Sequence, residues 1–163
     1  MKRRWISLYV ENQIGVLARI AGLFSSKSYN IDTLTVGETE DRTVSRMTIS
    51  LTSDDQTFEQ IKKQLNRSVE VIKVIDFTEV PILMKEMMFV KIRTNSEMEK
   101  QELFRLTQVY QVKISDYNMT QVILESQQEE AENNHLLEIL SHNFAGRLEV
   151  VRGGNVAIEA LRN

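Results

Sequence analysis

Apolar residues recur along the chain with two different periods. Within residues 5–10, Ile6, Leu8 and Val10 occupy alternate positions, which is the pattern of a half-buried β-strand. Within residues 16–27 the apolar residues fall three and four positions apart, which indicates a helix with one buried face. The strand pattern returns in residues 31–39, 43–52, 69–77, 87–93, 112–117, 120–125 and 148–152. The helical pattern returns after a cap at Asp54 or Asp55 and in residues 97–110 and 129–144.

The order of these elements is β-α-β-β-α-β, and it occurs twice. This is the order of a ferredoxin-like unit, in which two helices cover one face of a four-stranded antiparallel sheet. Pro81, the only proline in the chain, stands between the two runs and cannot donate a hydrogen bond within a sheet. We therefore predict an α+β fold of two ferredoxin-like units in tandem, with a first domain at residues 1–78, a linker at 79–85 and a second domain at 86–163.

Three glycines mark the end of the second run. Gly146 follows the last helical segment, where a left-handed residue commonly ends a helix. Gly153 and Gly154 follow the last strand pattern and open a tail to which the sequence assigns no structure.

Composition narrows the classes of function. The chain has 163 residues, a hydrophobic content of 42% and a net charge of −3, so it can form a core but offers no strong attraction to nucleic acid or to an anionic membrane. It has no cysteine, which excludes disulfides and thiolate metal sites and fits a cytoplasmic protein. No apolar run approaches the roughly 20 residues that span a membrane.

The junction between the first strand and the first helix, residues 10–17, is the strongest candidate for a binding site. The first N–H groups of a helix have no partner within it and lie at the positive end of its dipole, so they can hold a carboxylate. Gly15 allows a ligand to approach the backbone, and Asn12 can accept a hydrogen bond from an ammonium group and donate one to a carboxylate. These features suit a free amino acid. The alternative is that Asn12 is only a helix cap and Gly15 only a turn residue.

A resemblance to a known family bears on that choice. The runs that carry it are Glu11-Asn12, Gly15-Val16-Leu17, Arg19-Ile20, Gly22-Leu23-Phe24, Tyr29-Asn30-Ile31, Leu34-Thr35-Val36, Thr39-Glu40-Asp41 and Ser45-Arg46-Met47-Thr48-Ile49. They closely resemble the opening of acetohydroxyacid synthase (acetolactate synthase) small subunits, which begin with an amino-acid-binding ACT domain of the βαββαβ kind. Two later runs resemble the second domain of the same family: Met88-Phe89-Val90-Lys91-Ile92 and Leu148-Glu149-Val150-Val151-Arg152-Gly153-Gly154.

The resemblance implies a regulatory subunit in branched-chain amino acid biosynthesis. Such a subunit activates the catalytic large subunit and mediates feedback inhibition by valine or another branched-chain amino acid. The thiamine diphosphate, magnesium and FAD are expected on the large subunit, and this chain is expected to bind no cofactor. The resemblance also implies a homodimer through side-by-side ACT domains, with valine at the interface. The implied effector-binding residues are Asn12, Gly15, Val16 and Leu17 of one chain with Asn30 and Ile31 of its neighbour.

The sequence departs from the family pattern at two places. Ser28 stands just after the first helix, where the family commonly has glycine. A left-handed turn there costs a serine on the order of 1 kcal/mol and bears on the placement of Asn30 and on effector sensitivity. Residues 126–134 are acidic and glutamine-rich where the family usually has a glycine-containing turn, so we expect a changed loop and a retained domain.

No pattern in the sequence indicates catalysis by this chain. His135 and His142 lie seven residues apart on one predicted helix without a third metal ligand nearby, so we expect partly exposed helix residues. No nucleophile elbow, P-loop or dinucleotide fingerprint occurs. The magnesium-binding spacing of thiamine-diphosphate enzymes is also missing.

Two other functions are compatible with the predicted fold. An RNA recognition motif has the same element order and stacks bases on aromatic residues of its open sheet face, where Trp5 and Tyr9 are placed here. The strand at residues 43–52 has no aromatic residue and the net charge is negative, which disfavours RNA. Trp5 and Tyr9 could equally pack against the chain's own second domain or form a patch for a protein partner. The other function is a free-standing ACT-type sensor that acts on another enzyme.

Overall fold

A computed structural model describes residues 1–161 and divides the chain into two compact units. Unit 1 contains Met1–Met84 and the described residues from Asn155 onward, and unit 2 contains Lys85–Gly154. Each unit has one four-stranded antiparallel sheet and two helices in the order β-α-β-β-α-β. The predicted fold class, two ferredoxin-like units in tandem, is confirmed.

Unit 1 is built around the face that β1 turns toward its helices. Its sheet has the strand order β2-β3-β1-β4, so β2 and β4 are the edges. Ile6 lies opposite Ile49 and Leu8 opposite Met47 across the central strand pair, and these side chains are buried beneath the helices together with Phe24. The elements are β1 (Lys2–Glu11), α1 (Val16–Ser26), β2 (Thr33–Glu38), β3 (Val44–Ser53), α2 (Asp55–Leu65) and β4 (Val71–Asp76).

Unit 2 repeats the arrangement with the strand order β6-β7-β5-β8. Its core contains the alternate residues Met88, Val90 and Ile92 of its central strand, with leucines from both helices. The elements are β5 (Ile82–Arg93), α3 (Glu97–Val109), β6 (Lys113–Tyr117), β7 (Gln121–Gln128), α4 (Glu130–Asn143) and β8 (Leu148–Glu159). Among residues 1–161 no helix has the length and apolar character that crossing a membrane requires.

Polar groups also stabilise unit 2 at two points. The Arg147 guanidinium donates to both carboxylate oxygens of Glu99, at 2.9 and 3.1 Å. These bonds, together with the one donated by the backbone N–H of Asn95, hold the pKa of Glu99 below its ordinary value of 4.5. Elsewhere the buried carboxylate of Glu86 accepts two hydrogen bonds from Arg152, at 2.9 and 2.6 Å, which raise the pKa of that guanidinium.

The observed boundaries differ from the predicted ones at both ends of unit 2. Strand β5 already begins at Ile82, inside the predicted linker, because Pro81 needs only its carbonyl to take part in pairing and accepts from the N–H of Ala160 at 2.8 Å. The tail after Gly153, to which the sequence assigned no structure, is part of a strand, since β8 continues to Glu159. Gly154, with a φ of 81°, stands at the point where β8 passes from unit 2 to unit 1.

The predicted loop at residues 126–134 is also absent. Strand β7 runs to Gln128, and Glu129 serves directly as the N-cap of α4 in a reciprocal capping box with Glu132. The Ser126 hydroxyl donates to the Asn133 side chain at 2.6 Å in the buried interior. The polar residues that suggested a loop are therefore used for capping and for an interior hydrogen bond.

Left-handed residues occupy the same position in both units. Ser28 has a φ of 58° just after α1, and Gln111 has a φ of 53° just after α3. The left-handed turn expected at Ser28 is therefore present without a glycine, at a cost of about 1 kcal/mol. Gly146 has a φ of 70° after α4, which confirms the predicted left-handed end of that helix.

Candidate functional site

The start of α1 differs from the starts of the three other helices. Asp54 caps α2 by accepting from the backbone N–H of Thr57, Ser96 caps α3 in the same way, and α4 has its capping box. The N-cap of α1 is Gly15, which has no side chain to accept a hydrogen bond, and its first turn has no acidic residue. Among the four helices of residues 1–161, only α1 begins without a side-chain acceptor.

The first amides of α1 are consequently available. The N–H of Val16 makes a long bond of 3.3 Å to the carbonyl of Gln13. No oxygen within the described part of the chain accepts from the N–H groups of Leu17 or Ala18. Gly15 has a φ of 85°, a left-handed conformation that glycine adopts without strain. The geometry therefore presents two unpaired donors at the positive end of the helix dipole.

Asn12 flanks these amides but has already used its donor. Its Nδ2 donates to the carbonyl of Arg42 at 2.9 Å and to the carboxylate of Glu38 at 3.2 Å. Its Oδ1 accepts from no donor among residues 1–161. The side chain can therefore accept from an ammonium group as expected, whereas it can donate to a carboxylate only by releasing Glu38 or Arg42.

A cation lies beside Gly15 that the sequence analysis did not include in the site. A Cβ atom built on Gly15 would lie 3.4 Å from Nη1 of Arg19, whose Nε forms an ion pair of 2.6 Å with Glu70. Arg19 is four residues after Gly15, which is the spacing that brings side chains together on a helix. This spacing of four residues is the feature of the sequence from which Arg19 could have been predicted to lie beside Gly15.

The remaining predicted residues fall into two groups. Leu17 is exposed beside the free amides, while the side chain of Val16 is only 2% exposed and points into the core, so Val16 can contribute only its backbone. Asn30 and Ile31 lie past the other end of α1, in a shallow depression that Ser28 and Tyr29 also line. Asn30 donates to Asp32 at 3.3 Å, and Ile31 packs partly against the core.

Distance separates these two groups within one chain. Helix α1 has 11 residues and is about 16 Å long at 1.5 Å per residue. One small amino acid cannot contact both ends of it. One copy of the chain therefore brings together Asn12, Gly15 and Leu17 but not Asn30 and Ile31.

The other candidates from the sequence occupy different surroundings. Trp5 and Tyr9 are half-buried on the sheet face opposite the helices, where the Arg46 guanidinium lies 5.2 Å from the centre of the Tyr9 ring. His135 and His142 are both exposed on α4, as expected. Within residues 1–161 no group of three or more histidine and acidic side chains is placed to hold a metal ion.

Two protein families match the chain, one in each half of the sequence. The AHAS small subunit-like ACT domain matches residues 6–73, and the small subunit of acetolactate synthase matches residues 85–161. The acetolactate synthase small subunit of Aquifex aeolicus is 37% identical over 158 residues, which cover 97% of this chain and 81% of that protein. The acetolactate synthase isozyme 3 small subunit of Escherichia coli is 41% identical over 114 residues, covering 70% of this chain and 69% of that protein.

A solved structure agrees with these sequence matches. The crystal structure of the acetolactate synthase small subunit from Thermotoga maritima superposes with a TM-score of 0.89 at 31% sequence identity. The match covers 100% of both chains. The likeness therefore extends over both units.

Proposed function

The chain belongs to the family of acetolactate synthase small subunits, and from this premise we propose that it raises the activity of a separate catalytic large subunit and that valine reverses the activation. Thiamine diphosphate, magnesium and FAD belong, in this proposal, to the large subunit. The contribution of this chain is to bind the effector and to change the state of its partner.

The uncapped start of α1 carries the proposal. A free amino acid has a carboxylate and an ammonium group on one carbon, and the loop offers a partner for each. The amides of Leu17 and Ala18 can donate to the carboxylate, with the Arg19 guanidinium nearby. The Oδ1 of Asn12 can accept from the ammonium group. The exposed apolar side chains of Ile14 and Leu17 can then cover a branched aliphatic side chain.

The proposed site is shared between two copies of the chain. Asn30 and Ile31 of a second copy complete it, because within one copy they lie at the far end of α1. Strand β2 is an edge of the sheet with unpaired backbone groups, and its Val36 is exposed, so side-by-side pairing through α1 and β2 is compatible with the surface. A ligand held by both copies stabilises the dimer by mass action.

Titration of the purified full-length chain tests the function. Valine, leucine and isoleucine are added separately while the melting temperature is followed, with and without the cognate large subunit, for which acetolactate formation is also measured. At one hundred times its Kd, a ligand that binds only the folded state adds about 2.7 kcal/mol to the free energy of unfolding. A tenfold inhibition needs only about 1.4 kcal/mol of coupling.

The expected result is that the chain raises acetolactate formation and that valine raises the melting temperature and reverses the activation. If none of the three amino acids changes either quantity, the proposal fails. Binding of valine without any effect on the large subunit would instead support a free-standing sensor.

A mixing experiment tests whether the site is shared. Gly15→Asp and Asn30→Ala each disable both sites of a homodimer, but a mixed dimer retains one site with Gly15 from one chain and Asn30 from the other. Random pairing of equal amounts restores about a quarter of all sites. The control is each variant mixed with itself. No recovery of valine binding on mixing would mean that each site lies within one chain.

A further inference from the structure

The end of β8 lies on the sheet of unit 1, on the face opposite its helices. The Thr35 hydroxyl donates to the carbonyl of Asn155 at 2.8 Å, and Nη2 of Arg46 donates to the carbonyl of Ala157 at 3.1 Å. Ala160 donates its N–H to Pro81. We name residues 155–161 the strap.

Small hydroxyl side chains allow the strap to approach the sheet closely. Ser7, Thr48 and Ser50 are on this face and are almost fully buried, although the helices cover the other side. Within the strap, Asn155 is 0% and Ala157 is 4% exposed. The strap therefore packs against the sheet of unit 1 and covers part of the face that an RNA recognition motif leaves open for base stacking.

The strap is connected to the candidate amino-acid site through one short strand. Thr35 and Glu38 both belong to β2, an edge strand of six residues. Glu38 accepts from Asn12, which flanks the free amides of α1. When the Oδ1 of Asn12 accepts from the ammonium group of a ligand, the planar amide of Asn12 turns toward the ligand and carries with it the Nδ2 that donates to Glu38. Occupied and empty states therefore differ in the hydrogen bond at the end of β2.

We propose that the strap couples the amino-acid site of unit 1 to unit 2. A change in the hydrogen bond between Asn12 and Glu38 displaces β2, and the Thr35–Asn155 hydrogen bond transmits the displacement of β2 to β8. This inference rests on the proposed function. Its physical basis is that β8 is one continuous strand that begins in unit 2 and ends on unit 1, with left-handed Gly154 at the change. A shift of the strap on the sheet of unit 1 is therefore transmitted through the backbone of β8 to the part of the strand that belongs to unit 2.

Thr35→Val tests the coupling because it removes the hydroxyl and nearly preserves shape. Thr33→Val is the matched control: Thr33 is on the same strand and face, and its hydroxyl bonds to Ser50 at 2.6 Å and not to the strap. Three quantities are measured for each full-length chain: the Kd for valine, the hydrogen exchange of the strap amides, and the ratio of uninhibited to valine-saturated activity with the large subunit.

We expect Thr35→Val to bind valine with a Kd within about twofold of that of the original chain. Its strap amides should exchange about fivefold faster, and its ratio of uninhibited to valine-saturated activity should fall about fivefold. A factor of about five corresponds to the usual net contribution of one hydrogen bond. Thr33→Val should change neither the exchange nor the ratio. Arg46→Met removes the donor to the Ala157 carbonyl and should give the same result as Thr35→Val. Agreement between the two variants would show that the loss comes from the strap and not from local damage at one substituted residue.

Two outcomes overturn the inference. An unchanged inhibition ratio in both strap variants means that the strap does not transmit the signal, whether or not its amides exchange faster. Equal losses in Thr33→Val and Thr35→Val mean that β2 matters without the strap. Failure of the proposed function appears separately, as the absence of valine binding or inhibition in the unaltered chain.

Discussion

Replacing Gly15 by aspartate tests the nature of the candidate site most directly. The new carboxylate would stand at the N-cap of α1, next to the amides of Leu17 and Ala18 that are proposed to hold the carboxylate of the ligand. Two unit charges about 4 Å apart repel by about 1 kcal/mol in water and by about 4 kcal/mol at the effective dielectric of a protein surface. Valine binding should therefore weaken by between about fivefold and nearly a thousandfold.

The surroundings decide where in this range the effect falls. Gly15 is exposed in a single copy, which favours the lower value, and covering by a second copy raises it. The control variant is Gly15→Asn, because asparagine has nearly the same shape as aspartate but no charge. Its Cβ would lie at the same 3.4 Å from Arg19, and asparagine, like aspartate, is among the residues found most often at a positive φ such as 85°.

Isothermal titration of each variant with valine measures the difference. We expect Gly15→Asn to bind valine more weakly than the original chain, because its Oδ1 can accept from the same amides, but more tightly than Gly15→Asp, because it carries no charge to repel the ligand carboxylate. Equal losses in the two variants would mean that the backbone or space, and not a carboxylate, decides binding. Full binding by Gly15→Asp would show that the ligand carboxylate lies elsewhere.

Three other changes address stability. Ser28→Gly should raise the free energy of unfolding of unit 1 by about 1 kcal/mol, because glycine adopts the left-handed conformation without the cost to serine. Urea denaturation followed by the fluorescence of the chain's single tryptophan measures this gain, and its absence would contradict a φ of 58° at Ser28. Glu99→Gln should lower the melting temperature at neutral pH, because the Arg147 guanidinium lowers the pKa of Glu99. That stabilisation is complete above pH 4.5 and is lost as the pH falls through the lowered pKa, so the gap between variant and original should close in a series of melts from pH 7 to 3. Arg152→Met should cost unit 2 about 3 kcal/mol by removing an ion-pair partner of buried Glu86; circular dichroism in urea measures it, and Glu86→Gln with Arg152→Met should recover part of the loss.

Short-range signals account for what the sequence predicted correctly. Within residues 1–161, the periods of two and 3.6 residues located all four helices and all eight strands, because each element buries one face. The cap at Asp54 and the left-handed Gly146 depend only on neighbouring residues. These local requirements can be read without knowledge of the tertiary structure.

The errors arose where distant residues decide the structure. The residues after Gly154 received no assignment, because the strap is held by Thr35, whose hydroxyl donates to the Asn155 carbonyl from 120 residues away in the sequence. The polar run at residues 126–134 read as a loop because its buried hydrogen bonds also depend on tertiary contacts.

The residues of the candidate site also differ in how far local sequence could predict their surroundings. The free amides beside Asn12 and Gly15 could be predicted, because a helix that begins at a glycine has no side-chain cap. Val16 was included for its position, but helical periodicity places its side chain in the core. Asn30 and Ile31 came only from the family resemblance, since no pattern within one chain connects the two ends of α1.

The missing cap of α1 has a consequence for how the protein responds to its surroundings. Three helices close their first turn with residues of the chain itself, so their integrity is independent of solutes. If a metabolite supplies the acceptor for α1, the population of well-ordered chains becomes a function of metabolite concentration. Resistance to heat and to proteolysis would then vary with nutritional state in the cell, even where no catalytic partner is present.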